Sequence, residues 1–221
     1  VGYRALKRAN VPPGGRLAIY GFGSSAHLIA QIARHRGAEL YVVTRSPAGC
    51  ELARQLGAAW AGLSADDMPV KVDSAIIFAP AGELVPAALE RLEHGGTLSL
   101  AGIYMTPIPR LDYARYLFGE RDIHSVESNT RADGREFLAA AAEAGVRAHT
   151  TAYPLADANR ALLDLKSGRL TGTAVPEEIE DARGRLVDVI SDMHQYLGGK
   201  TVAIWGDPDQ VIALTEFCRD M

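Results

Sequence analysis

Short, almost wholly apolar runs alternate along the chain with longer segments in which apolar residues recur every three to four positions. The apolar runs predict six strands, at residues 17–20, 40–44, 58–61, 74–78, 97–101 and 122–126. The longer segments predict helices near residues 25–36, 47–56, 83–93 and 132–144. Strands that are apolar along their length are typical of parallel strands covered by helices on both faces. The alternation therefore predicts an α/β fold built on a doubly wound parallel sheet, a Rossmann fold.

The last 45 residues repeat this alternation on a smaller scale. Pro176 starts a predicted helix that runs to Leu197, residues 201–205 predict a buried strand, and residues 210–220 predict a second helix. Residues 177–221 carry ten acidic and four basic side chains, whereas residues 1–176 have a slight excess of basic ones. We therefore expect a first domain over residues 1–175 and a short α/β extension over residues 176–221.

Composition narrows the classes of function. The 221 residues have a net charge of −4 and contain no run of Lys and Arg, which argues against nonspecific binding to nucleic acid or to anionic membranes. No apolar run reaches the roughly 18 residues of a membrane span, and no leader is visible, so we expect a cytoplasmic protein. The only cysteines, Cys50 and Cys218, fit a reducing compartment and cannot supply a Cys-rich zinc site.

Because the chain opens inside a predicted helix and stops just after another, we expect a fragment of a longer protein.

A glycine-rich loop follows the first predicted strand. Its sequence, Gly21-Phe22-Gly23-Ser24-Ser25-Ala26, has the G-x-G-x-x-A pattern at a junction of strand and helix. Gly21 permits the tight turn, Gly23 lets the backbone approach a pyrophosphate, and Ala26 keeps the helix close to the strand. The first turn of the helix, with Ser24 and Ser25, directs N–H groups at the phosphates. The alternative is a glycine turn that only packs a strand against a helix; the context on both sides favours dinucleotide binding.

The end of the second predicted strand bears on which dinucleotide is bound. An NAD site places Asp or Glu there to bind the ribose 2′-hydroxyl, but this chain has Thr44-Arg45-Ser46. Arg45 would pair with a 2′-phosphate through its guanidinium group, and the hydroxyls of Thr44 and Ser46 would add donors. A solvated arginine after a strand is the alternative. The missing carboxylate favours NADP(H) over NAD(H).

Small residues follow two later strands and complete the predicted cleft. Ala79 follows the fourth strand, and Ala101, Gly102 and Ile103 end the fifth. Ligands of open α/β sheets lie at the carboxyl ends of the strands, so small residues there suit a ribose and a nicotinamide that pass close to the backbone. Small residues also simply end strands, which remains the alternative.

Several segments together resemble the medium-chain, zinc-dependent alcohol dehydrogenase family over about residues 1–175. They are Gly2-Tyr3-Arg4-Ala5-Leu6, Pro13-Gly14-Gly15, residues 21–27, His94-Gly95-Gly96-Thr97, Ala101-Gly102-Ile103, and the closing run from Ala158 to Gly172. Residues 128–135 resemble a bacterial branch of that family. The resemblance implies an NADP(H)-binding domain for the interconversion of alcohols and aldehydes or ketones. It also implies a possible homodimer, paired through an edge strand at residues 97–101 or 122–126.

The family's catalytic zinc polarises the substrate oxygen, but its ligands belong to an N-terminal domain that this sequence does not contain. Neither Cys50 nor Cys218 matches a ligand position, and the six histidines show no ligand spacing. We therefore assign no catalytic residue and no metal site to this chain. For His27, which follows the glycine loop, a packing or capping role is favoured over a phosphate contact.

The tail, from about residue 174, resembles a different family, the β chain of nitrogenase component 1. The segments that carry this resemblance are residues 183–188, 199–200 and 203–209. None of them is a cluster-ligating cysteine, so no cluster binding is implied. The chain thus resembles two oxidoreductase pieces joined near residues 172–176. A natural fusion, a cloned chimera and a sequence-assembly artefact would all give this same sequence.

Three functions remain open from the sequence. The first is the cofactor-binding portion of an alcohol dehydrogenase, which needs the absent domain to act on a small alcohol or carbonyl substrate. The second is a noncatalytic dinucleotide-binding or interaction module. The third is a fragment of a nitrogenase-like assembly, which would require cluster-ligating cysteines outside this sequence.

Overall fold

The computed structural model describes residues 1–176, which fall into two compact units, Val1–Arg147 and a second that begins at Ala148. The elements of the first unit, in chain order, are α1 (Gly2–Arg8), β1 (Arg16–Tyr20), α2 (Ser24–His35), β2 (Glu39–Val43), α3 (Pro47–Gln55), β3 (Trp60–Gly62), β4 (Val72–Ile77), α4 (Leu84–Glu90), β5 (Leu92–Leu100), α5 (Tyr113–Tyr116), β6 (Asp122–Ser125) and α6 (Arg131–Glu143). A single turn of 3-10 helix, Ala65–Asp67, connects β3 to β4.

The six strands of the first unit form one parallel sheet in the order β3-β2-β1-β4-β5-β6. The strand order reverses between β1 and β4, because the chain builds outward from β1 to β3 and then returns to the other side of β1. This arrangement confirms the predicted doubly wound sheet. It also brings the carboxyl ends of β1, β2, β4 and β5 to the same edge, where such folds bind ligands.

Alternating side chains of the strands form a core on each face of the sheet, because successive residues of a strand point to opposite sides. Leu17 and Ile19 of β1 pack in the core that α1, α2, α3 and α6 cover. Ala18 and Tyr20 pack in the core that α4 covers. Both faces are therefore buried, which explains why the strands are apolar throughout.

Capping side chains fix where two of the helices begin. The Ser46 hydroxyl accepts a hydrogen bond from the Gly49 amide (3.1 Å), and Pro47 starts α3, where its missing N–H costs nothing. Thr130 and Asp133 form a reciprocal capping box at the start of α6. The cap of α3 directly follows Arg45, so it also fixes the backbone at the end of β2.

All six predicted strands and the four predicted helices are present, with shifted bounds. The largest shift is in β5, which begins at Leu92, five residues before the predicted strand and inside the predicted helix over 83–93. The third strand begins at Trp60 rather than at residue 58, because the Ala58 amide bonds back to the Ala53 carbonyl and closes the end of α3. The expectation that residues 97–101 form an edge strand is wrong, because β5 pairs with β4 on one side and β6 on the other. The edge on that side of the sheet is β6.

The described part of the second unit contains β7 (Thr150–Tyr153), a 3-10 turn (Leu155–Asp157), α7 (Ala158–Lys166) and β8 (Thr173–Pro176). The strands β7 and β8 pair in parallel, and α7 lies between them in the chain. The helix α7 lies within the run from Ala158 to Gly172 that carries the family resemblance, and β8 begins directly after Gly172. The helices and strand predicted between residues 177 and 221 lie outside the described residues.

No helix within residues 1–176 combines the length and the apolar character needed to cross a bilayer.

Candidate dinucleotide-binding site

The glycine loop lies between the end of β1 and the first turn of α2. Gly21 has a φ of +89°, and its amide donates to the Val43 carbonyl at the end of β2 (2.8 Å). A Cβ atom on Gly21 would lie 3.0 Å from the Ala79 amide nitrogen, so a side chain here is strained by the positive φ and crowds the backbone of Ala79. By contrast, a Cβ atom on Gly23 would meet no protein atom within 4 Å. Gly21 therefore meets a need of the fold, whereas that side of Gly23 is open to a close-lying ligand.

Gly23 caps α2, whose first three residues are Ser24, Ser25 and Ala26. Ser25 and Ala26 are buried, and the first helical hydrogen bond runs from the His27 amide to the Gly23 carbonyl (3.1 Å). This is the loop-to-helix arrangement that binds phosphate in dinucleotide folds, since N–H groups of the first turn point out of the helix end.

A line of contacts joins the loop to its neighbouring strands. The amides of Phe78 and Ala79 both donate to the Tyr20 carbonyl (2.8 and 3.2 Å), which ties the loop after β4 to the end of β1. A Cβ atom on Gly102 would lie 2.8 Å from the Ala79 carbonyl oxygen. The predicted positions Gly21, Ala79 and Gly102 are thus brought together, and their small size is what allows the strand ends to approach each other.

The other two predicted positions after β5 differ in exposure. Ala101 is buried and donates its amide to the Ile77 carbonyl (2.8 Å), so it extends the ladder between β4 and β5. Ile103 is only partly buried. Of these two residues, only Ile103 has a side chain with access to a ligand.

Thr44, Arg45 and Ser46 follow β2 at the same edge. Thr44 is buried and its hydroxyl oxygen accepts from the Ser46 amide (3.4 Å), while Ser46 caps α3. Both hydroxyls act as acceptors in these bonds, which leaves each O–H able to donate. Arg45 is exposed, and none of the three residues at this strand end is an Asp or Glu. The residues that the sequence predicted to recognise a phosphate therefore lie beside the glycine loop.

Two residues of this edge were not predicted, namely Glu83 and Thr106. The Gly82 amide donates to the Thr106 hydroxyl oxygen (2.7 Å), and that hydroxyl donates to Glu83 Oε2 (3.0 Å). The Glu83 amide and the Thr106 hydroxyl hold the pKa of the Glu83 carboxyl below its usual range, and the charge of Arg45 adds to this effect. No sequence signal pointed to the pair, because 23 residues separate its members.

His27 is fully buried, and its Nδ1 lies 3.1 Å from the Gly23 carbonyl, so it braces the loop from within the helix. Cys50 is also buried, with Sγ 3.9 Å from the Thr44 carbonyl oxygen. Within residues 1–176, no three His, Cys, Asp or Glu side chains are grouped closely enough to hold a metal ion, so the described residues do not fit a zinc site.

The sequence model of the family described as zinc-binding dehydrogenase matches residues 25–143, more than half of the chain. The chain belongs to this family. A probable alcohol dehydrogenase, AdhA, of Mycobacterium tuberculosis (strain CDC 1551 / Oshkosh) is 54% identical to this chain over 175 residues, which are 79% of this chain and 51% of that protein.

Solved structures share the fold of this chain at lower identity. The acetophenone reductase from Geotrichum candidum NBRC 4597, in complex with NAD, has a TM-score of 0.69 at 22% identity and covers 78% of this chain. The CAD from Helicobacter pylori, complexed with NADP(H), has a TM-score of 0.68 at 19% identity and covers 77%. The match covers 51% and 50% of these two chains, so this chain spans about half the length of the relatives that it matches.

A second family model, described as nitrogenase component 1 type oxidoreductase, matches residues 128–221 of the chain. The nitrogenase molybdenum-iron protein β chain of Nostoc sp. (strain PCC 7120 / SAG 25.82 / UTEX 2576) is 54% identical over 52 residues, 24% of this chain and 10% of that protein. The two family models overlap over residues 128–143. There the structure places α6 in the sheet-containing unit, where Asp133 of α6 contacts Arg4 and Lys7 of α1.

Proposed function

We propose that this chain is the NADP(H)-binding portion of an alcohol dehydrogenase that transfers hydride between the cofactor and an alcohol, aldehyde or ketone. The observation that carries the proposal is the exposed Arg45 at the end of β2, beside the loop of Gly21 and Gly23 and with no carboxylate in its place. The 54% identity to a probable alcohol dehydrogenase supports the reaction class.

Each part of the edge has a role in holding the cofactor. The open side of Gly23 and the first turn of α2 receive the pyrophosphate, since amide groups there favour anions. Arg45 pairs with the 2′-phosphate, and the hydroxyls of Thr44 and Ser46 donate to the same group. When bound, the nicotinamide accepts or supplies the hydride. We assign Ile103, which follows β5 and is partly buried, to the nicotinamide side of the cleft.

The described residues hold no fitting zinc ligands, and we assign no step of the reaction to a metal. What they supply is position. The close approach of Gly21, Ala79 and Gly102 sets the floor of the cleft, and a fixed cofactor orientation is what a hydride transfer to one substrate face requires.

We further infer that residues 1–175 are the dehydrogenase part and residues 176–221 a nitrogenase-like extension. The 175-residue length of the match to AdhA and the 52-residue length of the match to the nitrogenase β chain support this division. Two copies are proposed to pair through the edge strand β6, whose terminal residues Asp122 and Ser125 are exposed. Sedimentation that shows only a monomer at all concentrations would refute the pairing.

Parallel titrations of the full chain with NADPH and NADH, followed by nicotinamide fluorescence, test the cofactor proposal. We expect tighter binding of NADPH, and we expect Arg45→Gln to weaken NADPH binding about tenfold or more while NADH binding stays constant, because a charge-assisted contact contributes about 1.5–3 kcal/mol. Arg135→Gln, which neutralises an exposed arginine on α6, is the matched control. Equal affinities for the two cofactors, or no binding by a chain whose circular dichroism shows cooperative melting, would refute the proposal.

A further inference from the structure

Two opposite charges flank the glycine loop. In the sheet, β1 lies between β2 and β4, so the loop after β1 is bordered by the residues that follow those two strands. Arg45 follows β2 and Glu83 follows β4, and both side chains are exposed at this edge. Any ligand that contacts Arg45 at the end of β2 therefore also approaches a carboxylate.

The Glu83 carboxylate is held in place by the loop after β5. Thr106 donates its hydroxyl to Glu83 Oε2 (3.0 Å), accepts from the Gly82 amide (2.7 Å), and donates its own amide to the Pro80 carbonyl (3.3 Å). A Cβ atom on Gly82 would lie 2.3 Å from the Thr106 carbonyl oxygen, which shows how closely the two loops pack. One hydrogen bond thus holds the carboxylate itself, and two more join the loops on which Glu83 and Thr106 lie.

The Glu83 carboxylate is also ionised, and the positive charge of Arg45 favours that ionised state. The Glu83 amide and the Thr106 hydroxyl lower the pKa of the Glu83 carboxyl, so Glu83 is ionised at neutral pH. Arg45 and Glu83 carry opposite charges on either side of the loop after β1, and the charge of Arg45 adds to the lowering of this pKa. An anion that binds Arg45 must compete with this attraction and is repelled by Glu83 directly.

We propose that Glu83 is a specificity-determining residue whose carboxylate limits the preference for NADP(H) over NAD(H), by competing with the 2′-phosphate for Arg45. The inference rests on the proposed cofactor site. NAD(H) has a 2′-hydroxyl in place of the phosphate, so it does not compete with Glu83 for an ion pair with Arg45. Both cofactors carry the same pyrophosphate, so repulsion of that group by Glu83 does not distinguish them. The competition for Arg45 is therefore confined to the cofactor with the 2′-phosphate.

The test compares dissociation constants of NADPH and NADH for the wild-type chain and Glu83→Gln. We expect Glu83→Gln to bind NADPH about three- to fivefold more tightly, the range of an exposed ion pair, with NADH changed less than twofold. The gain should shrink in high salt, because exposed charges are screened. Glu39→Gln is the matched control: Glu39 is a half-exposed carboxylate 3.9 Å from Arg16 at the amino end of β2, the opposite edge of the sheet, and its loss should leave both constants unchanged.

A double variant separates competition for Arg45 from other effects. In an Arg45→Gln background, the gain from Glu83→Gln should fall by at least half. A gain of full size there, or unchanged NADPH binding in the single variant, would overturn the proposal. Weaker NADH binding by Glu83→Gln would overturn it too, because it would mean that the carboxylate binds the ribose hydroxyl. If Glu83→Gln melts at a lower temperature than wild type, Glu83→Ala replaces it.

The two proposals fail in different ways. A folded wild-type chain that binds neither cofactor refutes the cofactor site itself. If the wild-type chain prefers NADPH and Arg45→Gln removes this preference, but Glu83→Gln leaves NADPH binding unchanged, only the role of Glu83 is refuted.

Discussion

Asp133 joins the first and last helices of the sheet-containing unit. Its removal should lower the free energy of unfolding more than the loss of an exposed charge does. One carboxylate oxygen accepts from Arg4 (2.8 Å) and from the amide and hydroxyl of Thr130 (both 2.8 Å), and the other pairs with Lys7 (2.7 Å). The side chain is only 4% exposed. Asp133→Asn is the informative change, because it removes the charge while keeping the size of the side chain.

The size of the expected loss in the free energy of unfolding follows from the groups that bond to Asp133. Hydrogen bonds to charged groups contribute about 1.5–3 kcal/mol each, and two such bonds, to Arg4 and Lys7, lose their charge. Both cations are about a third exposed, at 31% and 39%, so water screens part of that energy. An amide oxygen can still accept from Thr130, which preserves part of the helix cap. We therefore expect the free energy of unfolding to fall by about 2–3 kcal/mol.

The loss should depend on pH with a defined sign. Burial alone would raise the pKa of Asp133, but hydrogen bonds from Lys7, Thr130 and Arg4 outweigh it and hold the pKa well below the usual value of 3.8. A carboxyl whose folded pKa is depressed stabilises the fold fully above its unfolded pKa, and this contribution is lost as the pH falls through the folded pKa. The gap between wild type and Asp133→Asn should therefore be constant above about pH 5 and narrow below about pH 4.

Urea unfolding at several pH values, followed by circular dichroism, measures the difference in free energy of unfolding between wild type and Asp133→Asn. Glu136→Gln is the control, because Glu136 pairs with Lys7 at 2.7 Å but is 48% exposed, and its loss should cost about 0.5 kcal/mol or less. A cost for Asp133→Asn no larger than that of the control would refute the reasoning. So would a gap that widens on acidification.

The remaining predictions concern the glycine loop and the core. Gly21→Ala should destabilise the fold by about 1–3 kcal/mol in thermal melts, because of its positive φ and the nearby Ala79 backbone. Gly23→Ala should leave the melting temperature within a degree or two but weaken NADPH binding measured by calorimetry, since its Cβ meets no protein atom; unchanged affinity would argue against a close-lying pyrophosphate. Tyr20→Phe should leave stability unchanged or raise it by up to about 1 kcal/mol in urea melts, because within the described residues the buried Tyr20 hydroxyl has no hydrogen-bond partner. Leu98→Ala, at a fully buried position, should cost about 2–5 kcal/mol in the same assay, and a cost below 1 kcal/mol would contradict the described core.

The strands could be predicted because their burial on both faces leaves an apolar run that needs no knowledge of partners. The same holds for Gly21, whose role follows from local geometry at a junction of strand and helix. Strand β3 was displaced in the prediction, because the sequence does not show that the Ala58 amide closes α3. Local patterns thus predict local structure, and they fail where a backbone group serves a neighbouring element.

The Glu83–Thr106 contact could not be predicted for a related reason. It depends on two loops that the sheet brings together, and neither residue belongs to a motif with fixed spacing. The edge position of β6 was also open from the sequence, since strand order is a property of the assembled sheet. Asp133, in contrast, lay within a predicted helix, but its partners on α1 are 126 or more residues away in the chain.

The contacts among Gly21, Ala79 and Gly102 join the ends of β1, β4 and β5, and the Gly21 amide adds β2. The cleft therefore exists only when four strands have docked in register, and no smaller folding unit contains it. A dinucleotide that binds there has no affinity for a chain in which only β1 and β2 have paired. Saturating cofactor should consequently stabilise the whole sheet rather than one loop, by about 2.7 kcal/mol at a hundredfold excess over its dissociation constant. Cofactor supply would then govern how long the folded protein persists.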